Sequence, residues 1–93
     1  MADNAQNAEH LPFVSVVVPA LNCADDVEGF REAMLAQDYP SDRFEVIVVD
    51  NGSSDATRER SEAAGFKVLV RPERGRARAL NTGVQAARGE YIL

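Results

Sequence analysis

The sequence predicts an α/β fold of order βαβαβαβ, a mostly parallel sheet with helices on both faces. Three observations predict it. Near-continuous β-branched runs recur along the chain, as in strands covered on both faces. Amphipathic stretches separate them, and the connections are short.

Taken in order, "FVSVVV" (Phe13 to Val18) reads as the first buried strand, and Pro19, which has no N–H to donate, should end it. "ADDVEGFREAMLAQ" sets Val27, Phe30 and Met34 on one helical face with Leu35 beside them. Asp25 and Asp26 suit the start of that helix, and Tyr39-Pro40 closes it. "FEVIVV" (Phe44 to Val49) is the second strand. A charged helix follows over Ser54 to Ala64 and stops at Gly65. "FKVLV" (Phe66 to Val70) is the third strand. Ala77, Leu80, Val84 and Ala87 make the apolar stripe of a third helix ended by Gly89, and "YIL" opens a fourth strand. Residues 1–12 read as a flexible tail. The chain stops three residues into that strand, so the expectation is the first part of a larger domain, with a sheet edge open to self-association.

The bulk properties narrow the function. With 93 residues and 45% hydrophobic content the composition is globular, and the net charge of -5 disfavours non-specific nucleic-acid binding. Cys23 is the single cysteine, which excludes an internal disulfide. No signal peptide and no apolar run of about 18 residues occurs, so the expected location is cytoplasmic, or the cytoplasmic face of a membrane for a longer protein.

Ligands of open parallel sheets bind beyond the carboxyl ends of the strands. Here those ends carry Pro19-Ala20-Leu21-Asn22, then Asp50-Asn51-Gly52, then the arginine-rich Arg71 to Arg76. An ionised Asp50 only accepts hydrogen bonds, so it suits an imino N–H of uracil or guanine, or ribose hydroxyls. It could equally cap its own turn. Asn51 and Gly52 permit that turn, and Ser53, Ser54 and Asp55 can cap the next helix. Asn22 reads either as a helix cap or as part of a loop whose backbone faces a base edge. Arg71, Arg74, Arg76 and Arg78 crowd a helix start, where a diphosphate would relieve the opposed dipole. No dinucleotide, P-loop or EF-hand motif is present.

"VSVVVPALN", "LAQDYP", "EVIVVDNGSSDAT" and "RGRARALNTGVQAARGEYIL", in that order, resemble the start of a family 2 glycosyltransferase with the GT-A fold. The resemblance spans roughly residues 13–93 and implies the nucleotide-binding half of an enzyme that transfers sugar from a nucleotide-diphospho-sugar, most often a UDP-sugar, with inversion. It implies that Pro19, Ala20, Leu21 and Asn22 line the base, that Asp50 bonds the uracil imino group, and that Asn51 and Gly52 form the following turn. Arg76, with Arg74 and Gly75 as rivals in register, approaches the base or diphosphate, and Asn81 faces the site from the third helix. The family's Asp-x-Asp motif, which holds Mn²⁺ or Mg²⁺, and its catalytic base do not occur in the 93 residues, so the chain alone is expected to be inactive. The rival readings are a sugar-phosphate nucleotidyltransferase, disfavoured because PALN replaces a glycine-rich basic loop, and a non-enzymatic α/β interaction module.

Overall fold

The computed structural model describes residues 11–72 and 75–93. Its elements are β1 (Val14–Ala20), α1 (Val27–Leu35), β2 (Phe44–Asp50), α2 (Thr57–Ala63), β3 (Lys67–Val70), α3 (Arg76–Ala86) and β4 (Tyr91–Ile92). Short 3₁₀ turns at Ala24–Asp26 and Ser41–Arg43 lead into α1 and β2. The four strands form one sheet in the order β3-β2-β1-β4, and every pairing is parallel. The predicted α/β order and parallel sheet are therefore present.

Alternation along the strands assigns the two faces. Val17, Ile47 and Val49 meet Ala79 of α3, with Leu69 and Leu80 packed alongside. On the opposite face Ala20, Val46 and Val48 meet Phe30 and Met34 of α1, joined by Phe66. Complete burial of Ile47 and Val49 stabilises the fold by about 1.5–3 kcal/mol each. Phe30 and Phe66 meet edge to face, with centroids 5.6 Å apart.

The structure departs from the sequence expectation in several places. β1 runs through Pro19, which pairs in register with Val49. Val17 donates to Leu93 at 2.8 Å on the β4 side, so backbone parity turns the Pro19 nitrogen to that same side. There β4 pairs by register with Val14 and Ser15, short of Pro19. α2 begins at Thr57 rather than Ser54, because Asp55 Oδ1 accepts the Thr57 N–H at 3.0 Å and ends a non-helical turn. The stripe on α3 is also different: Val84 is exposed, while Ala79 and Gly83 are buried. A Cβ at Gly83 would lie 2.2 Å from Val17 Cγ1, so close approach rather than apolar bulk selects this face. Finally, residues 11 and 12 are not part of a free tail. The Leu11 carbonyl accepts from Arg43 Nε at 3.1 Å, and the Pro12 carbonyl accepts from the Tyr39 hydroxyl. The rest of the expected tail, residues 1–10, lies outside the described residues.

Among the described residues no helix is long and apolar enough to cross a membrane.

Candidate functional site

The loops after β1, β2 and β3 meet at the carboxyl edge of the sheet. β1 and β2 stay in register as far as Ala20 opposite Asp50, and the Asn51 N–H closes on the Ala20 carbonyl at 2.9 Å. The third loop is tied to the second: Arg71 N–H donates to the Asp50 carbonyl at 2.7 Å, and Asn51 Nδ2 donates to the Arg71 carbonyl at 2.9 Å. Gly52, at φ 97°, makes the turn that an L side chain would strain.

Asp50 stands at the predicted edge, but its carboxylate is wholly buried. Oδ2 accepts the N–H groups of Gly52 and Ser53 at 3.1 and 3.0 Å, and Oδ1 accepts the Ser53 hydroxyl. Arg58 Nε lies 3.6 Å from Oδ2. The turn therefore takes up the acceptors that the sequence reading offered to an imino group. Of the two roles open to Asp50, the geometry displays the turn-capping one.

Asn22 adopts a left-handed backbone, φ 51°. Its side-chain Oδ1 accepts the Ser54 N–H at 2.8 Å, so it caps the second loop rather than its own helix. The expectation that N–H groups of this loop face a base edge also needs correction. Asn22 N–H donates to Ser53 Oγ at 2.9 Å, Cys23 N–H to Thr57 Oγ1 at 2.9 Å, and Ala24 N–H to Asp55 Oδ2 at 3.2 Å. All three are engaged within the protein. The Thr57 hydroxyl, donating to Asp55, holds that carboxyl below the ordinary aspartate range; slight desolvation opposes it, and the Thr57 and Ala24 amides add to it.

The remaining candidates are dispersed. Pro19 is half-buried and Leu21 exposed beside buried Ala20. Arg76 is exposed at the first residue of α3, behind Gly75 at φ 139°, and Arg78 is exposed two residues further on, within the first turn. Asn81 is exposed on α3, two positions from both Ala79 and Gly83 and hence on the face turned from the sheet. Arg74 lies outside the described residues. Sequence reading missed Thr57 and Arg58 and gave Ser53 and Asp55 only local capping roles. The usable signal was the run of hydroxyls and carboxylates in SSDAT, but its partners lie 31 to 34 residues away.

Among the described residues no three His, Cys, Asp or Glu side chains converge on a point. The described residues thus offer no ligand set of their own for a divalent cation.

The pattern of Glycosyl transferase family 2 matches residues 15–93. The chain belongs to that family. It is 39% identical over 88 residues to glycosyltransferase AglE of Haloferax volcanii, covering 88% of this chain and 29% of the relative. It is 38% identical to the probable glycosyltransferase YdaM of Bacillus subtilis, covering 94% of this chain and 23% of the relative. Among solved structures, the mannosyltransferase PcManGT of Pyrobaculum calidifontis in complex with GDP-Man and Mn²⁺ superposes with a TM-score of 0.81. That match is 34% identical and covers 91% of this chain and 27% of the neighbour. Glucosyl-3-phosphoglycerate synthase of Mycobacterium tuberculosis, solved with Mn²⁺, UDP-Glc and phosphoglyceric acid, gives 0.73 at 27% identity over 99% of this chain and 35% of that one. The chain thus spans less than a third of the length of the curated relatives just named.

Proposed function

We propose that this carboxyl edge binds the nucleoside diphosphate of a nucleotide-sugar, and that the intact protein transfers the sugar to an acceptor with inversion. The observation that carries the reading is the joining of three strand-end loops into one hydrogen-bonded edge, with Arg76 and Arg78 exposed at the adjoining helix start. Such an edge is where open parallel sheets take ligands, and the arginines suit a diphosphate. In this reading Pro19, Ala20, Leu21 and Asn22 border the base, Asn51 and Gly52 form the opposite wall, and Asp50 sets the wall's shape from behind. Asn81, on the face of α3 turned from the sheet, borders neither wall. The divalent cation carried by the solved neighbours would neutralise the departing diphosphate in the intact enzyme.

UDP is our first choice of nucleotide. GDP is the second reading, favoured by the closer superposition on the GDP-Man complex than on the UDP-Glc complex. Titrating this chain with UDP, GDP, ADP and CDP while following backbone amide shifts separates them. Selective shifts at residues 20–24 and 50–53 with UDP support the first reading, and with GDP the second. A dispersed spectrum that responds to none of the four overturns both.

A further inference from the structure

We infer that Ser53 and Thr57 are positioning residues for the nucleotide: two hydroxyls, each turned by a carboxylate, hold the backbone of residues 22–24 in its ligand-receiving shape. This rests on the proposed nucleotide-binding function.

A hydroxyl has one proton to give and lone pairs to receive. The Ser53 proton goes to Asp50 Oδ1, which leaves its oxygen to accept the Asn22 N–H. The Thr57 proton goes to Asp55 Oδ1, which leaves its oxygen to accept the Cys23 N–H. Asp55 Oδ2 takes the Ala24 N–H directly. Three successive amides are thereby fixed by partners in the next loop, and Ser54 N–H returns one bond to the Asn22 side chain.

Two features separate this clasp from ordinary fold maintenance. It begins where the ladder ends: β1 and β2 are already fully paired to Ala20 and Asp50. It also holds Asn22 at φ 51°, in the left-handed region that Asn tolerates better than other residues with a Cβ, and fixes it there from the next loop. A preset loop spares a ligand the cost of ordering it.

The polarity is strict. Both oxygens of Asp50 face donors, as do both of Asp55. An Asn at position 55 would turn its NH₂ against a backbone N–H in both orientations, so Asp55→Asn should behave like loss of the hydroxyl despite its matching shape.

The test compares Thr57→Val, which removes the hydroxyl at similar volume, with Thr57→Ser, which keeps it. Hydrogen exchange at the Cys23 amide is read beside the dissociation constants for UDP and GDP. Thr57→Val should speed that exchange and weaken nucleotide binding, each about tenfold, the equivalent of one net hydrogen bond. Thr57→Ser should restore both. Unchanged nucleotide binding in Thr57→Val, with the Cys23 amide opened, overturns the proposal and leaves the nucleotide-binding reading intact. Equal weakening in Thr57→Ser overturns it too, because the hydroxyl would not be the cause. Failure of the unaltered chain to bind any nucleotide removes both. Where Thr57→Val gives a collapsed amide spectrum, Ser53→Ala decides by the same readouts at the Asn22 amide.

Discussion

At the amino end of the sheet, the Ser15 hydroxyl donates to Glu45 Oε2 at 2.6 Å and accepts the Gly89 N–H at 2.9 Å. At the carboxyl end, Ser53 donates to Asp50 and accepts the Asn22 N–H, and Thr57 does the same between Asp55 and Cys23. The arrangement of carboxylate, hydroxyl and amide is common to both ends, but what it secures differs. At the amino end the amide belongs to the crossover that brings β4 onto β1. There Glu90 N–H donates to Phe13, Leu93 N–H to Ser15 and Val17 N–H to Leu93, each at 2.8 Å. Arg88 closes the corner, its amide 2.9 Å from Glu45 Oε2 and its guanidinium 5.0 Å from the centre of the Phe13 ring. Breaking this relay detaches a strand. Breaking the others releases loops beyond a finished ladder. The same chemistry thus bears on global stability at one end and on local shape at the other.

The largest expected effect lies at the amino end. A Cβ on Gly89 would stand 2.6 Å from Ser15 N and 2.8 Å from the Phe13 carbonyl oxygen, backbone atoms that cannot swing away. Gly89→Ala should therefore cost about 3 kcal/mol. At Gly52, by contrast, a Cβ would meet nothing nearer than Pro72 at 3.9 Å. The cost of Gly52→Ala is then backbone strain alone at φ 97°, about 1–2 kcal/mol. Urea unfolding midpoints measure both. Equal losses would erase the distinction between the two ends.

Acid should separate the ends next. Burial of the Glu45 carboxyl tends to raise its pKa, but the Ser15 hydroxyl and then the Arg88 amide and guanidinium outweigh it and hold the group below 4.5. A carboxyl with a depressed folded pKa contributes stability that is fully present above its unfolded value and lost as pH falls through the folded one. The Glu45 contribution should thus begin to fade below about pH 4.5, and that of Asp55, also depressed, below its ordinary value of 3.8. Denaturant midpoints between pH 7 and pH 3 should show the first loss disappear in Glu45→Gln. That variant also loses about 2 kcal/mol at pH 7, where two donors face an oxygen that can no longer be charged. An unchanged acid profile would mean that Glu45 does not secure the amino end.

How far the sequence reveals this division depends on the range of each interaction. The elements are legible because period and composition are local: FEVIVV cannot easily be other than a buried strand, and β2 is found there with Asp50 added at its end. The family is legible because four short motifs keep their order. The inner face of α3 is legible in part: Leu80 and Ala87 of the predicted stripe pack on the core, but Val84 is exposed and the closest approach is made by Ala79 and Gly83, whose smallness lets the helix reach Val17. Pro19 misleads for a related reason: whether its missing donor matters depends on which neighbour lies beside it. At the candidate site, Asp50, Asn22 and the turn glycine are found at the expected edge. Their roles are not readable in advance, because a carboxylate before a turn can serve the turn or a ligand, and the choice rests on partners from another loop.

The smallest expected effect tests whether the carboxyl-end clasp is held from within. Arg60 spans its outer rim, with Nη1 3.2 Å from the Ala24 carbonyl, 3.5 Å from Asp25 and 3.8 Å from Glu28. The two acidic partners are open to solvent, so their attraction is screened by water and salt. Arg60→Ala should cost about 0.5 kcal/mol, through the lost bond to the carbonyl. It should leave exchange at the Asn22 and Cys23 amides unchanged, because Ser53 and Thr57 still face them from the buried side. Those two amides in the Arg60→Ala chain, compared at low and high salt, give the measurement. A marked acceleration of exchange would show that the loop is pinned from the surface, and the likeness between the two ends of the sheet would then be one of geometry alone.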